Sequence, residues 1–364
     1  MPRIDATELR TFASRVIRAL GSPDAVAETV ADSLVAADCR GHGSHGVRRL
    51  VSFYPRMIES GNIKPSAEPV VVREAPTSAR VDGQWGWGHV TGRFATDLAI
   101  EKAQANVVGI VGVNNGTHMG RIGEYAERAA ASDISLVAFA NTGGVGRSTA
   151  LPGTASRNIS ANPIVVGVPS FDALPFDLVL DMSSSQTAHG KIMQRAIAGE
   201  ALSENWVVDD EGAALTDAVA FEDGVGAILP LGGREFGHKG AALSLAIEAI
   251  TGVIGDSPVH GEGRAPMVNN GATFVAIDST WFVDPTDARR RISRLAAHVR
   301  DQAYDPTAVP SPGGRGDHAL LPGELEYETS EDCLANGIPI DEGAISALKG
   351  IATELGIDVH PNGF

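Results

Sequence analysis

The sequence predicts an α/β protein: a central sheet covered by helices, joined to a mostly helical part drawn from both chain ends. Three observations carry this reading. Apolar runs at 107–113, 134–140 and 164–168 alternate with helix-periodic stretches, the pattern of an α/β sheet. Residues 5–59 carry helical spacing with no strand signal, and helical spacing returns beyond residue 285. At 364 residues the chain is long enough for two domains. The expected division is 1–75 plus about 286–364 as a discontinuous helical domain, and 76–285 as the sheet domain.

Taken in order, residues 5–20 read as a helix, with Asp5 as the cap, Glu8 three positions on, and Leu9, Phe12, Val16 and Leu20 on one face before Gly21. A second helix follows, for which Ser22 is the expected N-cap and Pro23 the first helical residue; Val26, Val30, Leu34 and Ala37 form its stripe. Residues 47–59 read as a further helix (Val47, Leu50, Val51, Tyr54, Ile58) closed by Gly61. Strands are expected at 70–72 and 79–82, a helix at 91–105, a strand at 107–113, a helix at 123–131 and a strand at 134–140. Further strands are expected at 164–168, 178–181 and 273–277, and a helix at 241–250. A basic helix spans 286–302 with Arg289, Arg290, Arg291 and Arg294, a Pro/Gly-rich loop covers 305–323, and 341–355 is the last helix.

The formal charge of −16, from 45 acidic against 29 basic residues, argues against nucleic acid and against anionic membranes as partners. Two cysteines give no disulfide framework, and the first residues lack the apolar core of a signal peptide, so the expected setting is the cytoplasm. No uninterrupted apolar run is long enough to span a bilayer. An acidic protein that binds a small anion needs a local cluster of arginines, and residues 39–50 have one.

That stretch, Cys39-Arg40-Gly41-His42-Gly43-Ser44-His45-Gly46-Val47-Arg48-Arg49-Leu50, is the densest collection of proton-transfer and anion-binding groups in the chain. Its Gly41-x-Gly43-x-x-Gly46 matches the dinucleotide-binding fingerprint, but that motif works only after a strand, and here a helix precedes it. A His beside a Ser suits proton transfer, and Arg49 four residues on suits a carboxylate. The alternatives are a solvated glycine-rich connector, or a metal site built on Cys39, His42 and His45, as in a metal-dependent hydrolase. A non-catalytic binding protein would leave so many clustered titratable groups without a role. Four later segments are candidate sites, the last three of them weak alone. They are the loop around His118 after an apolar strand, the run from Asp181 to Lys191, the helix start at His238 and Lys239, and Gly323-Glu324.

Together and in this order, Arg40-Gly41-His42-Gly43-Ser44-His45-Gly46-Val47-x-Arg49-Leu50, His118-Met119-Gly120, Asn162-Pro163, Asp181-Met182-Ser183, Gly190-Lys191, Leu229-Pro230-Leu231-Gly232-Gly233, His238-Lys239-Gly240 and Leu321-Pro322-Gly323-Glu324 resemble the malate/L-lactate dehydrogenase family of the second, non-Rossmann type. The family includes ureidoglycolate and sulfolactate dehydrogenases, diketogulonate reductase and piperideine-2-carboxylate reductase. The resemblance implies a central sheet domain that binds NAD or NADP without a Rossmann fold, a helical domain built from both chain ends, and a homodimer. It implies hydride transfer between the nicotinamide and a small anionic substrate, a 2-hydroxy acid/2-oxo acid pair, with a cyclic imine/amino acid pair as the alternative.

Residue by residue, the resemblance makes Ser44 and His45 the relay and proton donor, and Arg49, with Arg40 nearby, the substrate's carboxylate anchor. His118 matches a position described as proton acceptor in some members and cofactor neighbour in others. Met119, Gly120, Arg121 and Ile122 continue the cofactor segment, and Asp181, Met182 and Ser183 line the nicotinamide side. His238 and Lys239 meet the phosphates, Gly323 and Glu324 form the far wall, and Lys191 is a further polar contact. Two departures stand out. Ser160-Ala161-Asn162-Pro163 replaces the usual Gly-Thr-Asn-Pro, so Ala161 removes a hydroxyl from the substrate side, and Met119 stands where Phe is commoner.

Overall fold

The computed structural model describes residues 1–262, 269–305 and 318–359. A short strand β1 (Arg3–Ile4) leads into α1 (Ala6–Ala19), whose first amides, Thr7 and Glu8, donate to the Asp5 carboxylate. Helix α2 (Asp24–Cys39) starts one residue later than its spacing predicts. Pro23 is its cap and no side chain caps it; Ser22 Oγ instead accepts from Trp87 Nε1 at 2.8 Å. The expected single helix over 47–59 divides into a 3₁₀ turn, Val47–Leu50, and a short α3, Phe53–Glu59.

The central region begins with the hairpin β2 (Val70–Ala75) and β3 (Ser78–Asp82), then α4 (Gly88–Asn106), β4 (Val108–Gly116), α5 (Gly123–Ala130) and β5 (Ile134–Ala140). Strands β6 (Pro163–Val168) and β7 (Leu178–Ser183) follow, then α6 (His189–Ala198), β8 (Val207–Val208), α7 (Ala218–Glu222) and β9 (Ala227–Ile228). Helix α8 runs Gly233–Gly255, more than twice the length its periodicity marks, and β10 (Asn270–Asp278) returns to the sheet. The chain closes with α9 (Pro285–Arg300), α10 (Glu324–Asn336), β11 (Ile338–Pro339), which pairs with β1, and α11 (Glu342–Glu354). Helix α10 begins at the end of the expected 305–323 loop, and most of that loop, 306–317, lies outside the described residues.

The seven-stranded sheet has the order β2-β3-β4-β10-β5-β6-β7, and among the described residues its only parallel pair is β3 and β4. Strand–helix alternation often signals a parallel sheet. Here β10 enters from far along the chain and lies antiparallel between β4 and β5, which reverses that expectation for its neighbours. Helices α4 and α5 cover one face through Ala95, Ala99, Ala103, Tyr125, Ala126 and Ala129. Along β5 the buried residues Ile134, Leu136, Ala138 and Ala140 alternate with half-buried ones, as a strand's two-residue period requires. A second apolar core joins α1, α2 and α3 to Cys333, Ile338, Leu348 and Ala352 from the far end of the chain. Helix α2, which leads into the loop 40–50, contacts α1 and α10 as well as α4, and the loop's Val47 and Leu50 enter the second core.

Candidate active site

The site starts at the end of α2. Asp38 is buried on the last turn, and its carboxylate accepts the Val47 amide at 2.8 Å, pinning the loop's far end under its start. Between these points the chain makes a 3₁₀ turn at Gly43–His45. Ser44 Oγ lies 3.1 Å from His45 Nδ1, and Arg49 Nε donates to the Ser44 carbonyl at 2.6 Å. The Arg49 guanidinium stacks over the Phe53 ring, 4.5 Å from its centroid. Serine, histidine and arginine are thus held together by the loop's own backbone.

The second histidine arrives from the sheet. The loop after β4 carries His118 onto His45, with ring centroids 5.5 Å apart and planes only 16° off parallel. Asn270, at the start of β10, fixes that loop by accepting the Met119 amide on its side-chain oxygen at 3.1 Å. Tyr54 of α3 places its hydroxyl 2.9 Å from His118 Nδ1 and 3.3 Å from Nε2 of His89, which is fully buried on α4. Burial, followed by the positive charge of Arg49, holds both His45 and His118 well below the usual histidine range. Both rings are therefore neutral near pH 7. Burial lowers Arg49 as well, while Tyr54 opposes that shift.

Beyond the histidines lies a half-buried charge network built around the buried Arg121. Arg121 pairs with Glu127 at 2.6 Å, Glu127 also takes Arg40 at 2.6 Å, and Asp181 sits 3.9 Å from Arg121 while accepting the Gly123 amide at 2.8 Å. His42 approaches Glu326 of α10 at 3.4 Å. Arg40 is therefore committed to Glu127, which leaves Arg49 as the arginine beside the histidines.

Other expected site residues scatter more widely. Met119 is buried and Gly120 takes a left-handed φ of +70°, with Ile122 leading into α5. Met182 pairs with Ile164 in the sheet, and Ser183 Oγ bonds Ser185 Oγ at 3.0 Å. Ser184 and Thr187 bury hydroxyls with no hydrogen-bond partner among the described residues. Gly190 packs so closely on Ser44 that a Cβ there would lie 2.6 Å from the serine's Cβ, and Lys191, next to it, is exposed. His238 and Lys239 are exposed on α8, where His238 lines a separate cavity of about 400 Å³ with Leu151, Leu229 and Pro230. Gly323 abuts the start of β7, and the Glu324 carboxylate is taken up by Leu321 N, Arg300 and His318. Ala161 lies between buried Ser160 and Asn162, which bond each other.

Sequence reasoning missed Asp38, Tyr54, His89 and Asn270 as site-building residues. Tyr54 was legible only as one member of an apolar stripe, and His89 falls two residues before the helix expected at 91–105, which in fact begins at Gly88. The metal reading finds no ligand set: among the described residues no three His, Cys, Asp or Glu side chains are arranged so that they could hold a metal ion, and Cys39 lies in the apolar core. Burial pushes its thiol up to about 11, which disfavours the thiolate a metal would need.

A profile of the malate/L-lactate dehydrogenase family matches residues 4–349. The chain is 31% identical over 364 residues to an L-sulfolactate dehydrogenase of Methanothermobacter thermautotrophicus, covering 98% of each chain. It is 33% identical to a malate dehydrogenase of Pyrococcus abyssi, covering 98% of this chain and 95% of that one. Among solved structures, a malate dehydrogenase from Entamoeba histolytica superposes with a TM-score of 0.89 at 26% identity, over 98% of this chain and 99% of that one.

Proposed function

The chain belongs to the malate/L-lactate dehydrogenase family, and on that premise we propose that it is an NAD- or NADP-dependent dehydrogenase of a small 2-hydroxy acid, malate- or sulfolactate-like. The observation that carries this reading is the His45–His118 stack with Arg49 at its edge. Oxidising a 2-hydroxy acid takes a proton from its hydroxyl and needs a cation for its carboxylate. His45, held neutral, is the base, and the Arg49 fork is the carboxylate anchor. Ser44 Oγ can accept from His45 Nδ1–H, which leaves Nε2 bare to take the proton.

A nicotinamide cofactor, when bound, would accept or supply the hydride. The buried, unpartnered hydroxyls of Ser184 and Thr187 fit a polar group that would satisfy them. They lie in the segment from Asp181 to Lys191 that would hold the nicotinamide side, with Met119, Gly120 and Arg121 facing it. His238, which lines the cavity beside α8, and the adjacent Lys239 are the proposed phosphate contacts. The proposal includes a homodimer, supported by exposed apolar side chains such as Ile197, Trp281 and Phe282.

A panel of 2-oxo acids and one cyclic imine, each with NADH and with NADPH and followed by cofactor absorbance, tests the reading. Saturable oxidation with a 2-oxo acid supports it. Turnover of the cyclic imine alone would move the chain to the imine-reductase branch of the family, and no turnover with any pair would overturn it.

A further inference from the structure

Two histidines meet in the site, and their hydrogen-bond partners differ in kind. His45 Nδ1 faces a serine hydroxyl, which can rotate to donate or accept. His118 Nδ1 faces the Gly120 amide at 3.2 Å, and a backbone N–H can only donate. That contact favours a bare Nδ1 on His118, and a neutral ring then carries its one proton on Nε2.

The residues behind His118 reinforce this choice. Tyr54 Oη sits between His118 Nδ1 at 2.9 Å and His89 Nε2 at 3.3 Å. The other ring nitrogen of His89, Nδ1, is buried with no partner among the described residues. A proton there would be an orphaned buried donor, which costs more than a lone pair left bare. His89 therefore carries its proton on Nε2 and donates it to Tyr54 Oη, and Tyr54 donates its own to His118 Nδ1. Burial keeps the tyrosine protonated and holds His89 at about 3, so the donor order stays the same across the neutral range. Gly120 completes the arrangement: a Cβ there would lie 2.8 Å from the His89 ring.

We infer that Tyr54, His89 and the Gly120 amide lock His118 as a standing Nε2–H donor, so that the reaction's proton is exchanged at His45 alone. This deepens the proposed dehydrogenase reading and rests on it for the substrate. In oxidation the alcohol's proton goes from oxygen to His45 Nε2, leaving an imidazolium, while a bound nicotinamide cofactor would take up the hydride that carbon gives up. His118 hydrogen-bonds the same oxygen and keeps its own proton throughout. The groups facing His118 are His45 and Arg49 from the loop after α2, Tyr54 from α3 and His89 from α4, and none offers it a carboxylate that would favour a charged ring. Tyr54 and His89 are positioning residues, acting through His118.

The test reads the ring protons directly. Long-range ¹H–¹⁵N spectra of the full chain labelled in its histidines, with His118 assigned by its loss in His118→Gln, should show His118 in the Nε2–H form throughout the neutral range. Tyr54→Phe should mix in the other tautomer. A His118 that titrates near an ordinary histidine value, or sits in the Nδ1–H form, would overturn the inference. The kinetic arm compares His118→Gln, which keeps an N–H donor but cannot exchange a proton, with His118→Phe. The expected losses in kcat are less than about tenfold and about 10²-fold, the scale of one lost oxyanion donor. Equal losses in the two would overturn the donor role. Because the spectra need no substrate, a chain with the locked tautomer but no turnover of any hydroxy or oxo acid would sink the proposed reaction and leave the proton assignment standing.

Discussion

The Asp38 carboxyl group occupies the space that a side chain at Gly46 would need: a Cβ built on Gly46 would overlap all three carboxyl atoms. The same carboxylate accepts the Val47 amide one residue on. This contact explains the last glycine of Gly41-x-Gly43-x-x-Gly46, a spacing that resembles a phosphate cradle. The last glycine is there so that the chain can cross a buried acid at van der Waals distance.

Gly46→Ala should therefore destabilise the fold by about 1–3 kcal/mol, the cost of overpacking a closed site. Urea unfolding measures it, and Asp38→Ala in the same chain should recover part of the loss. An alanine tolerated within experimental error would mean that Asp38 does not hold the loop in this way.

Asp38 also predicts a pH dependence. Burial pushes its carboxyl up to about 7 against the opposing pull of Val47 and Arg48, whereas the unfolded group titrates at 3.8. Between those values the unfolded chain releases a proton that the folded chain keeps. The stability from Asp38 is thus fully present below 3.8 and is lost as pH rises through about 7. Unfolding midpoints of Asp38→Asn, plotted against pH, should run flatter than wild type over this interval; parallel curves would show Asp38 ionised in the fold.

The neutral histidines set the direction of the rate profile. His45 is held well below 6.5 by burial and then by Arg49, so it remains a competent base at neutral and mildly acidic pH. The acid limb of kcat/KM for hydroxy-acid oxidation should lie well below 6.5, and oxo-acid reduction, which needs the charged ring, should speed up as pH falls. An acid limb at the ordinary histidine value would show that the free enzyme's base is not buried as His45 is.

Arg49 is tethered by its Nε to the Ser44 carbonyl and stacked on Phe53, which leaves the outer edge of the guanidinium for a carboxylate. Arg49→Lys should raise the KM for the acid about tenfold or more, the scale of one charge-assisted hydrogen bond, with a smaller change in kcat. An unchanged KM would remove Arg49 from the substrate site.

Local signals in the sequence were enough to find the loop and the fold class. Asp5, the periodic stripe of α1 and the density of functional groups over 39–50 depend on spacing within a few residues, and such spacing survives in a bare sequence. What spacing could not supply was anything made at long range. Tyr54 and His89 meet His118 across 64 and 29 positions, and Asn270 reaches Met119 across 151. Nor could it place β10, whose antiparallel insertion between β4 and β5 has no local mark. Ser22 misled for the same reason: it has the chemistry of a helix cap, but Trp87, 65 residues away, takes its oxygen.

The central claim is that His45 exchanges the reaction's proton, and the most direct measurement is kcat of His45→Ala beside wild type on the best acid of the panel, with folding checked by circular dichroism. The account predicts a loss of about 10²-fold or more, the usual scale for a missing general acid or base. Turnover unchanged in His45→Ala but abolished in His118→Ala would contradict it and exchange the roles of the two histidines.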